Sequence, residues 1–398
     1  MTAVRLCRLQ VYNFRNLANV QLTFPEGPCL FVGDNGQGKT NLLEAIFVLS
    51  VFRSFRADSE IQMVRREAIE QGLGMAKVTA EIARNLGPLR LELAMVVREE
   101  GHVGKSVKVN GAPKRINEAV GAFLAVLFTA NDLELISGSP AARRRYLDLL
   151  LSRLDPGYVL SRQRLSKVLL QRNYLLRQIK EGAARPEEME FWDQCLAQEA
   201  ARMIWARAQT VASLQSLVAS AYTTLGEGED IELHYVPKLG AAGNDALHQG
   251  PDALAEAFRL DLERLRPQET AAGMTLLGPQ RDDIEITWKG VPAAGYVSRG
   301  QERILALALR VAEALYLKEA KGDSPLLLLD DVVSELDVRR RKRLLDILSR
   351  YEQVLATATD LQSFPPELVA SSSIYMVSKG EVLPVSPAKG QQPDLPEP

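Results

Sequence analysis

The sequence predicts an α/β protein in which a strand-rich lobe, built from both ends of the chain, is interrupted by a mainly helical lobe. Three observations lead to this expectation. An apolar strand at residues 29–32 runs into a Gly-rich loop and then into a helical pattern. A second apolar run, residues 326–329, ends in two aspartates. Between them, residues 140–266 are rich in Leu, Arg, Ala and Gln, without heptads sustained enough for a long coiled coil.

Length and composition indicate a globular protein of about two or three domains. The chain has 398 residues, of which 46% are hydrophobic and 25% are charged. These proportions are ordinary for a folded protein and too apolar for a disordered one. The formal net charge of −2 excludes an overall polycation. A nucleic acid would therefore have to be bound by a local basic patch.

The cysteines, histidines and apolar runs exclude several further classes. Three Cys and three His are scattered along the chain, so we expect neither a disulfide framework nor a His-rich metal site. No stretch approaches the roughly 18 apolar residues of a transmembrane helix, and the N-terminus lacks the features of a signal peptide. We therefore expect a cytoplasmic protein with no membrane segment.

Strand, helix and turn signals divide the chain further. Asn110-Gly111 marks a hairpin, and a long helix is expected from residue 300 to about 318. We expect the N-terminal part of the strand-rich lobe at residues 1–130, the helical lobe at 131–270, the C-terminal part at 271–385 and a disordered, Pro-rich tail at 386–398. The expected strands are residues 4–11, 20–24, 77–82, 89–97, 231–235, 283–288, 353–358, 373–377 and 381–385.

Residues 33–40 fit the pattern G-x-x-x-x-G-K-[ST], with a strand before and a helix after the loop. Glycines let the backbone N–H groups turn inward to hold phosphate oxygens, and the helix N-terminus adds its positive dipole end. Lys39 would meet the β- and γ-phosphates, and the Thr40 hydroxyl would ligate Mg²⁺. The predicted nucleotide-binding residues are Gly33, Asp34, Asn35, Gly36, Gln37, Gly38, Lys39 and Thr40.

The apolar run at 326–329 supplies the second half of this site. Asp330, at the carboxyl end of the strand, is expected to share a Mg²⁺ ion with Thr40. Asp331 is expected to polarise the attacking water as a catalytic residue beside Lys39. Taken alone, an apolar run before two aspartates is equally consistent with a strand that ends in a solvated loop. Its pairing with the loop at 33–40 favours the site.

A third element precedes the long helix. Ser298, Gly300 and Gln301 form an S-x-G-Q sequence that would place a hydroxyl and N–H groups at the helix N-terminus, either as a simple cap or as a phosphate pocket. An S-x-L-D sequence follows at 334–337. The order of these elements resembles the ABC-type ATPases. That resemblance implies a dimer in which Ser298, Gly300 and Gln301 cover the nucleotide held by the other subunit's loop.

The long interval between Thr40 and Ser298 resembles the chromosome-associated branch of these ATPases, which includes SMC, Rad50, RecN and RecF. Four blocks, residues 9–16, 126–148, 278–283 and 326–337, resemble RecF motifs, and the resemblance covers residues 4–385. It implies an ATP- and Mg²⁺-dependent homodimer that binds DNA at gaps or single-strand/double-strand junctions in recombinational repair and replication restart. It also implies RecO and RecR as partners, RecA loading, and weak, DNA-stimulated hydrolysis as a switch.

Departures from the family pattern leave some positions open. Asn131 and Asp132 stand where the family usually has Glu and Asp, and either is a candidate for the residue that senses Mg²⁺ or water. Thr357 or Thr359 would face the γ-phosphate in place of a histidine. The alternatives to a RecF-like function are a Rad50/SMC-type ATPase, disfavoured by the missing arm, and a transporter ATPase subunit, disfavoured by the long interval.

A local basic cluster is the candidate DNA surface. Residues 143–180 contain ten Lys or Arg and two acidic residues, interleaved with tyrosines. The same residues could form a solvated helix face, pair with the acidic residues at 187–190, or reach nucleotide or the partner subunit. A second basic run, residues 339–343, is expected on a helix near the dimer seam. The predicted DNA-contacting residues are Arg143, Arg144, Arg145, Arg162, Arg164, Lys167, Arg172 and Arg177.

Overall fold

The computed structural model describes residues 4–98, 101–226, 228 and 230–385. The described residues divide into two compact units: those within Met1–Asn131 and Leu317–Pro398 form the first, and those within Asp132–Tyr316 form the second. The tail expected at 386–398 lies outside the described residues. Among the described residues, none of the helices is long and apolar enough to cross a membrane.

The described residues are mixed α and β, as the sequence predicts, and contain no long coiled coil. The strands, in chain order, are β1 (Arg5–Phe14), β2 (Leu17–Thr23), β3 (Cys29–Val32), β4 (Met75–Ala83), β5 (Leu89–Val97), β6 (Val103–Val109), β7 (Ala112–Lys114), β8 (Ala125–Thr129), β9 (Ile231–Val236), β10 (Asp283–Trp288), β11 (Val291–Pro292), β12 (Leu326–Asp330), β13 (Val354–Ala358), β14 (Ser373–Ser378) and β15 (Glu381–Val385). The helices are α1 (Lys39–Val51), α2 (Arg66–Glu70), α3 (Ile116–Ala119), α4 (Pro140–Leu154), α5 (Pro156–Lys180), α6 (Met189–Leu225), α7 (Ala241–Ala246), α8 (Pro251–Ala272), α9 (Arg299–Lys321), α10 (Val338–Leu348) and α11 (Pro366–Ser371).

The first unit contains an antiparallel sheet in the order β2-β1-β4-β5-β6-β7. Its strands alternate in burial: Leu89, Leu91 and Leu93 of β5 are buried, while the side chains between them face outward. A period of two is what one buried face and one solvated face require. The hairpin predicted at Asn110-Gly111 is confirmed, since both residues have positive φ, as a type I′ turn requires.

A second sheet in this unit has the order β15-β14-β3-β13-β12-β8. Strands β14, β3, β13, β12 and β8 are parallel neighbours, and β15 closes the sheet as an antiparallel edge. β3 is buried along its whole length and β12 up to its last residue, which is the pattern of a parallel sheet covered on both faces. The carboxyl ends of β3, β13 and β12 therefore meet at one edge.

The second unit packs α5, α6 and α8 around an apolar core, and it also contains the sheet β11-β10-β9. It runs to Tyr316, whereas the helical lobe was expected to end at residue 270. The difference has a structural cause, because β10 pairs along its length with β9 from the middle of the unit. The helix α9, which begins at Arg299, also starts within this unit.

Arg207 of α6 joins two of the sequence blocks that resemble RecF. Its side chain is buried, and its guanidinium lies 2.7 Å from Asp148 Oδ1 and 3.0 Å from Asp282 Oδ2. It also donates to the Tyr158 hydroxyl and to the Pro279 carbonyl. Buried charges must be paired and hydrogen-bonded to be tolerated. The carboxylates of these two blocks therefore serve packing within the second unit.

Arg172 of α5 is also completely buried. Its Nε lies 2.8 Å from Asp193 Oδ1 and its Nη2 lies 2.6 Å from Glu269 Oε2, and both carboxylates are buried as well. Its Nη1 donates to the Thr275 hydroxyl. A side chain with no exposed surface cannot contact DNA, so the role predicted for Arg172 is corrected to a structural one.

We expect Arg172→Ala to destabilise the second unit. The change leaves Asp193 and Glu269 buried without their counterion, and removing one partner of a buried ion pair costs roughly 3–5 kcal/mol. Urea unfolding followed by circular dichroism measures this loss. The control is Arg177→Ala, which removes an exposed cation from the same helix and should change stability by less than about 0.5 kcal/mol. Equal small effects of both changes would contradict the structural role.

Candidate functional site

The loop between β3 and α1 is held close to the neighbouring strand. Gly33 has a φ of +155°, and a Cβ at this position would lie 2.1 Å from the backbone carbonyl oxygen of Val377 in β14. Only glycine permits that approach. Gly38, the residue before α1, is in the left-handed region. The glycines of the motif therefore meet backbone requirements, as predicted.

Lys39 opens α1 and folds back over the loop. Its Nζ donates to the carbonyl oxygens of Gly33 at 2.7 Å and Asp34 at 3.1 Å. The same atom lies 4.0 Å from Asp331 Oδ2, and the side chain is 4% exposed. A cation is thus held inside the loop and next to the carboxyl end of β12, where anionic oxygens would be favoured.

Gln37 anchors the loop from outside. Its backbone carbonyl accepts from Asn16 Nδ2 at 3.1 Å and from the Gly380 N–H at 2.8 Å. Its side-chain Oε1 accepts from the Lys379 N–H at 2.7 Å. Gln37 is predicted to bind nucleotide, but its side-chain oxygen is used to fasten the loop to the turn between β14 and β15. No local sequence signal identifies these long-range contacts.

Asp330 receives two hydroxyl hydrogen bonds at the sheet edge. Its Oδ1 accepts from Thr40 Oγ1 at 2.9 Å and from Thr357 Oγ1 at 3.0 Å. Thr357 is completely buried, and its hydroxyl accepts from the Asp331 N–H at 3.0 Å. Burial raises the pKa of Asp330 above its usual range, and the two hydroxyl hydrogen bonds oppose part of that rise. The structure brings Thr40 and Asp330 together, and the Mg²⁺ ion that they would share stays a prediction.

Asp331 projects from a strained backbone position. Its φ is +54°, in the left-handed region that is uncommon for residues other than glycine. Among the described residues, its buried Oδ1 has no hydrogen-bond partner. The Asp330 and Asp331 carboxylates and the Thr40 hydroxyl offer hard oxygen ligands, and Asp331 Oδ1 has no donor of its own among the described residues. This set suits Mg²⁺, which binds through one or two carboxylates together with nucleotide phosphates.

A buried glutamate with two arginines stands beside the loop, and sequence reasoning missed it. Glu44 of α1 is bound by Arg15 at 2.8 and 2.9 Å and by Arg56 at 2.9 and 3.0 Å. Burial alone would raise the pKa of Glu44, but hydrogen bonds from Arg15, Ser54 and Arg56 hold it below its usual range. Two guanidinium groups on one carboxylate leave a net positive charge near the phosphate loop. The only sequence signal is the position of Glu44 one turn after Thr40.

Comparisons with known proteins agree with this arrangement. The family model described as "RecF/RecN/SMC N terminal domain" matches residues 5–381. The DNA replication and repair protein RecF of Chloroflexus aurantiacus is 40% identical over 386 residues, 93% of this chain and 97% of the relative. RecF of Synechococcus sp. strain JA-3-3Ab is 38% identical, over 96% of this chain and 97% of the relative. The chain belongs to the RecF family.

Solved structures support the same assignment. The recombination mediator protein RecF with ATP, described in the RecFOR pathway, is 31% identical with a TM-score of 0.86, over 96% of this chain and 98% of that one. The Smc head domain from Pyrococcus furiosus is 16% identical with a TM-score of 0.51, over 96% of each chain. The second likeness shows that the fold is shared beyond RecF.

In this RecF-family chain, Ser298 caps α9. Its N–H donates to Gln301 Oε1 at 2.8 Å, and the Gln301 N–H donates to Ser298 Oγ at 3.3 Å. This reciprocal pair is a capping box. Ser298 is exposed, and Gly300 lies in the first turn of the helix. The simple helix cap that the sequence predicts as one alternative is therefore present. Binding of a nucleotide phosphate by Ser298 stays a prediction.

The positions that the RecF pattern left open differ in their surroundings. Asp132 is buried, and its Oδ1 lies 2.6 Å from Arg310 Nη2, while Asn131 is exposed. Thr359 is exposed and bonds only weakly to Asp360 at 3.4 Å. Of the two threonines, Thr357 is the one that contacts the carboxylates.

The predicted DNA contacts of the RecF-like basic cluster differ in their partners and exposure. Five of them bind carboxylates or carbonyls within the second unit: Arg143 to Asp283, Arg144 to the Asp282 carbonyl, Arg162 to Asp148, Arg164 to Glu199 and Arg172 as described above. Arg145, Arg164, Lys167 and Arg177 are exposed, and Arg177 Nε also donates to the Asn173 carbonyl. The cluster is therefore not one continuous basic surface.

We expect Thr357→Val to disturb both carboxylates. Valine has nearly the same shape but cannot donate to Asp330, and it leaves the Asp331 N–H unpaired, which costs roughly 1–3 kcal/mol. Thermal unfolding of the variant should show this loss, and Mg²⁺-dependent ATP hydrolysis should fall. Thr357→Ser keeps the hydroxyl and should restore both. If the serine and valine variants behave alike, the hydroxyl does not position these groups.

Proposed function

We propose that this protein is an ATP-gated, DNA-binding dimer of recombinational repair and replication restart. The observation that supports it most directly is the placement of Lys39, Thr40, Asp330 and Asp331 at one edge of the parallel sheet. RecF relatives are named as DNA replication and repair proteins, and one has been solved with ATP. The loop's backbone N–H groups would bind the nucleotide phosphates, with Lys39 released from its carbonyl contacts to meet them.

Within this site, each side chain has a separate task. Thr40 and Asp330 would hold Mg²⁺, which supplies charge neutralisation at the phosphates. Thr357 keeps Asp330 oriented and fixes the backbone of Asp331 through one hydroxyl. Asp331 Oδ1 would accept a hydrogen bond from the attacking water and orient it. The raised pKa of Asp330 means that acidification protonates it at a higher pH than an ordinary aspartate, which weakens its hold on a cation.

The second part of the site would come from a partner subunit. Ser298, Gly300 and Gln301, at the exposed start of α9, would cover the γ-phosphate of the nucleotide held by the other chain. ATP then joins two subunits, and slow hydrolysis releases them. In the dimer the protein would bind DNA at gaps or junctions in the cytoplasm and act with RecO and RecR to load RecA. A Rad50/SMC-type function requires a long coiled-coil arm, and the described residues contain no such arm.

DNA-stimulated ATP hydrolysis by the purified protein tests this function. Gapped DNA should raise the rate, and the Lys39→Met variant should show neither hydrolysis nor tight ATP binding, because the charge that meets the β- and γ-phosphates is gone. A wild-type rate that is indifferent to every DNA form would contradict a DNA-gated ATPase.

The two aspartates should separate binding from hydrolysis. We expect Asp331→Asn to bind ATP and to prolong the dimer, because the water is no longer oriented while the Mg²⁺ ligands remain. Asp330→Asn should instead weaken Mg²⁺-ATP binding itself. Light scattering with ATP and calorimetric ATP titrations distinguish the two. Failure of Asp331→Asn to dimerise with ATP argues against its assigned role.

Ser298→Arg should leave ATP binding to the monomer nearly intact and abolish ATP-induced dimerisation and hydrolysis, because a bulky cation replaces the hydroxyl at the seam. Mixing this variant with Lys39→Met protein is the sharper test. One composite site of the mixed dimer then has both an intact loop and an intact Ser298, so part of the ATPase activity should return. Wild-type hydrolysis by a strictly monomeric Ser298→Arg protein would refute the shared site.

A further inference from the structure

The exposed face of α5 is uniformly without negative charge. The helix contains six Lys or Arg and no acidic residue. Its exposed positions recur every three or four residues, which is one face of an α-helix. The side chains on this face are Leu160, Gln163, Arg164, Lys167, Leu170, Gln171, Tyr174 and Arg177.

The cations of α5 and α4 differ in what they can still bind. Arg172 is buried in ion pairs, and Arg143 makes a two-point contact with Asp283 at 2.7 and 2.9 Å. Arg164 is exposed but lies 3.3 Å from Glu199. Lys167 and Arg177 are exposed on either side of Tyr174, and neither pairs with a carboxylate of the described residues. Positive charge is therefore concentrated at the outer face of α5, not across the whole basic cluster.

Large apolar side chains lie on the same face. Tyr174 is 58% exposed and Leu170, one turn earlier, is 66% exposed. Phe191 of α6 is 63% exposed and follows the chain reversal, two residues before the Asp193 that binds Arg172. Tyr174 stands two residues after Arg172, so this ion pair brings both rings to the same end of the helix pair. Exposed aromatic rings next to cations form the combination used to bind unstacked bases and their phosphates.

We propose that this face of α5 binds single-stranded DNA, with Lys167 and Arg177 on phosphates and a base stacked on Tyr174. The proposal rests on the proposed function, binding of DNA at gaps, and assigns this surface to the single-stranded part of the gapped DNA. A duplex would engage the cations but keeps its bases stacked inside, so it offers no ring face to Tyr174. Gln163 and Gln171 add neutral hydrogen-bonding groups without repelling phosphate. The absence of acidic residues from the helix favours a polyanion as the ligand.

Fluorescence anisotropy with the full-length protein, ATP and two probes tests the proposal: a labelled oligothymidine strand and a blunt duplex. Tyr174→Ala should lower affinity for the single strand roughly 5- to 150-fold, the range for loss of one stacked base, and leave duplex affinity within about twofold. Tyr174→Phe keeps the ring and should bind the single strand nearly as the wild type does. These surface changes should leave the circular dichroism spectrum and thermal unfolding unchanged.

The charges are tested separately through salt dependence. The double variant Lys167→Gln/Arg177→Gln should bind the single strand less tightly, and the slope of log affinity against log salt should become shallower by about 1.4, at roughly 0.7 for each phosphate that is no longer neutralised. The matched control is Arg259→Gln on α8, an exposed arginine already paired with Glu256 and Glu263, which should change neither the affinity nor the slope.

Three outcomes would overturn the proposal. If Tyr174→Ala binds the single strand as tightly as the wild type, no base stacks on Tyr174, and the exposed face is better explained as a surface for a protein partner. Equal losses of affinity for both probes in Tyr174→Ala show that the face does not distinguish a single strand from a duplex, so no unpaired base stacks on the ring. Failure of the wild type to bind either probe overturns the proposed function as well. Loss of single-strand binding in Tyr174→Ala, with duplex binding and duplex-stimulated hydrolysis retained, would uphold both.

Discussion

A single hydrogen bond, from the Thr40 hydroxyl to Asp330, joins segments that are 290 residues apart in the chain. It links the start of α1 to the end of β12, and Thr357 on the intervening strand donates to the same carboxylate oxygen. This arrangement is possible only because β3, β13 and β12 are parallel neighbours whose carboxyl ends share an edge. The Asp330 carboxylate thus ties the first turn of α1 to the strand that leads into Asp331. The parallel sheet is therefore as much a part of the site as the loop itself.

The parts of the site that follow local rules were predictable from the sequence. The loop is a contiguous motif whose glycines have positive φ, and the strands at Cys29–Val32, Leu89–Val97 and Asp283–Trp288 have the predicted bounds. The proximity of Thr40 and Asp330 followed from the rule for ligands at strand ends, while the Mg²⁺ ion that they would share stays a prediction. The contacts of Gln37 with Asn16, Lys379 and Gly380 were not predictable, and neither was the Arg15–Glu44–Arg56 cluster. Each joins residues from separate segments of the chain, and side chains of these types are common on protein surfaces.

The basic cluster shows why a count of charges is a poor guide to a surface. Arg172 occurs four residues after Val168 and four before Leu176, both buried on the inner face of α5, so helical spacing alone could have excluded it from a DNA surface. Arg207 was not singled out, yet it holds Asp148 and Asp282 inside the second unit. Some blocks that make the chain resemble its relatives therefore maintain buried ion pairs. Such pairs gain little stability overall, but breaking one is costly.

The contacts that hold Gln37 to the turn between β14 and β15 have a consequence for how the protein is made. The loop lies near the N-terminus, but its carbonyl and side chain are held by backbone N–H groups of Lys379 and Gly380, and Gly33 packs against the Val377 carbonyl. During synthesis, domains form as their residues emerge, at about 5–20 residues per second. The loop cannot make these contacts until residues 377–380 have left the ribosome. A chain that lacks those residues would present the motif without the backbone contacts that fasten it to the turn between β14 and β15.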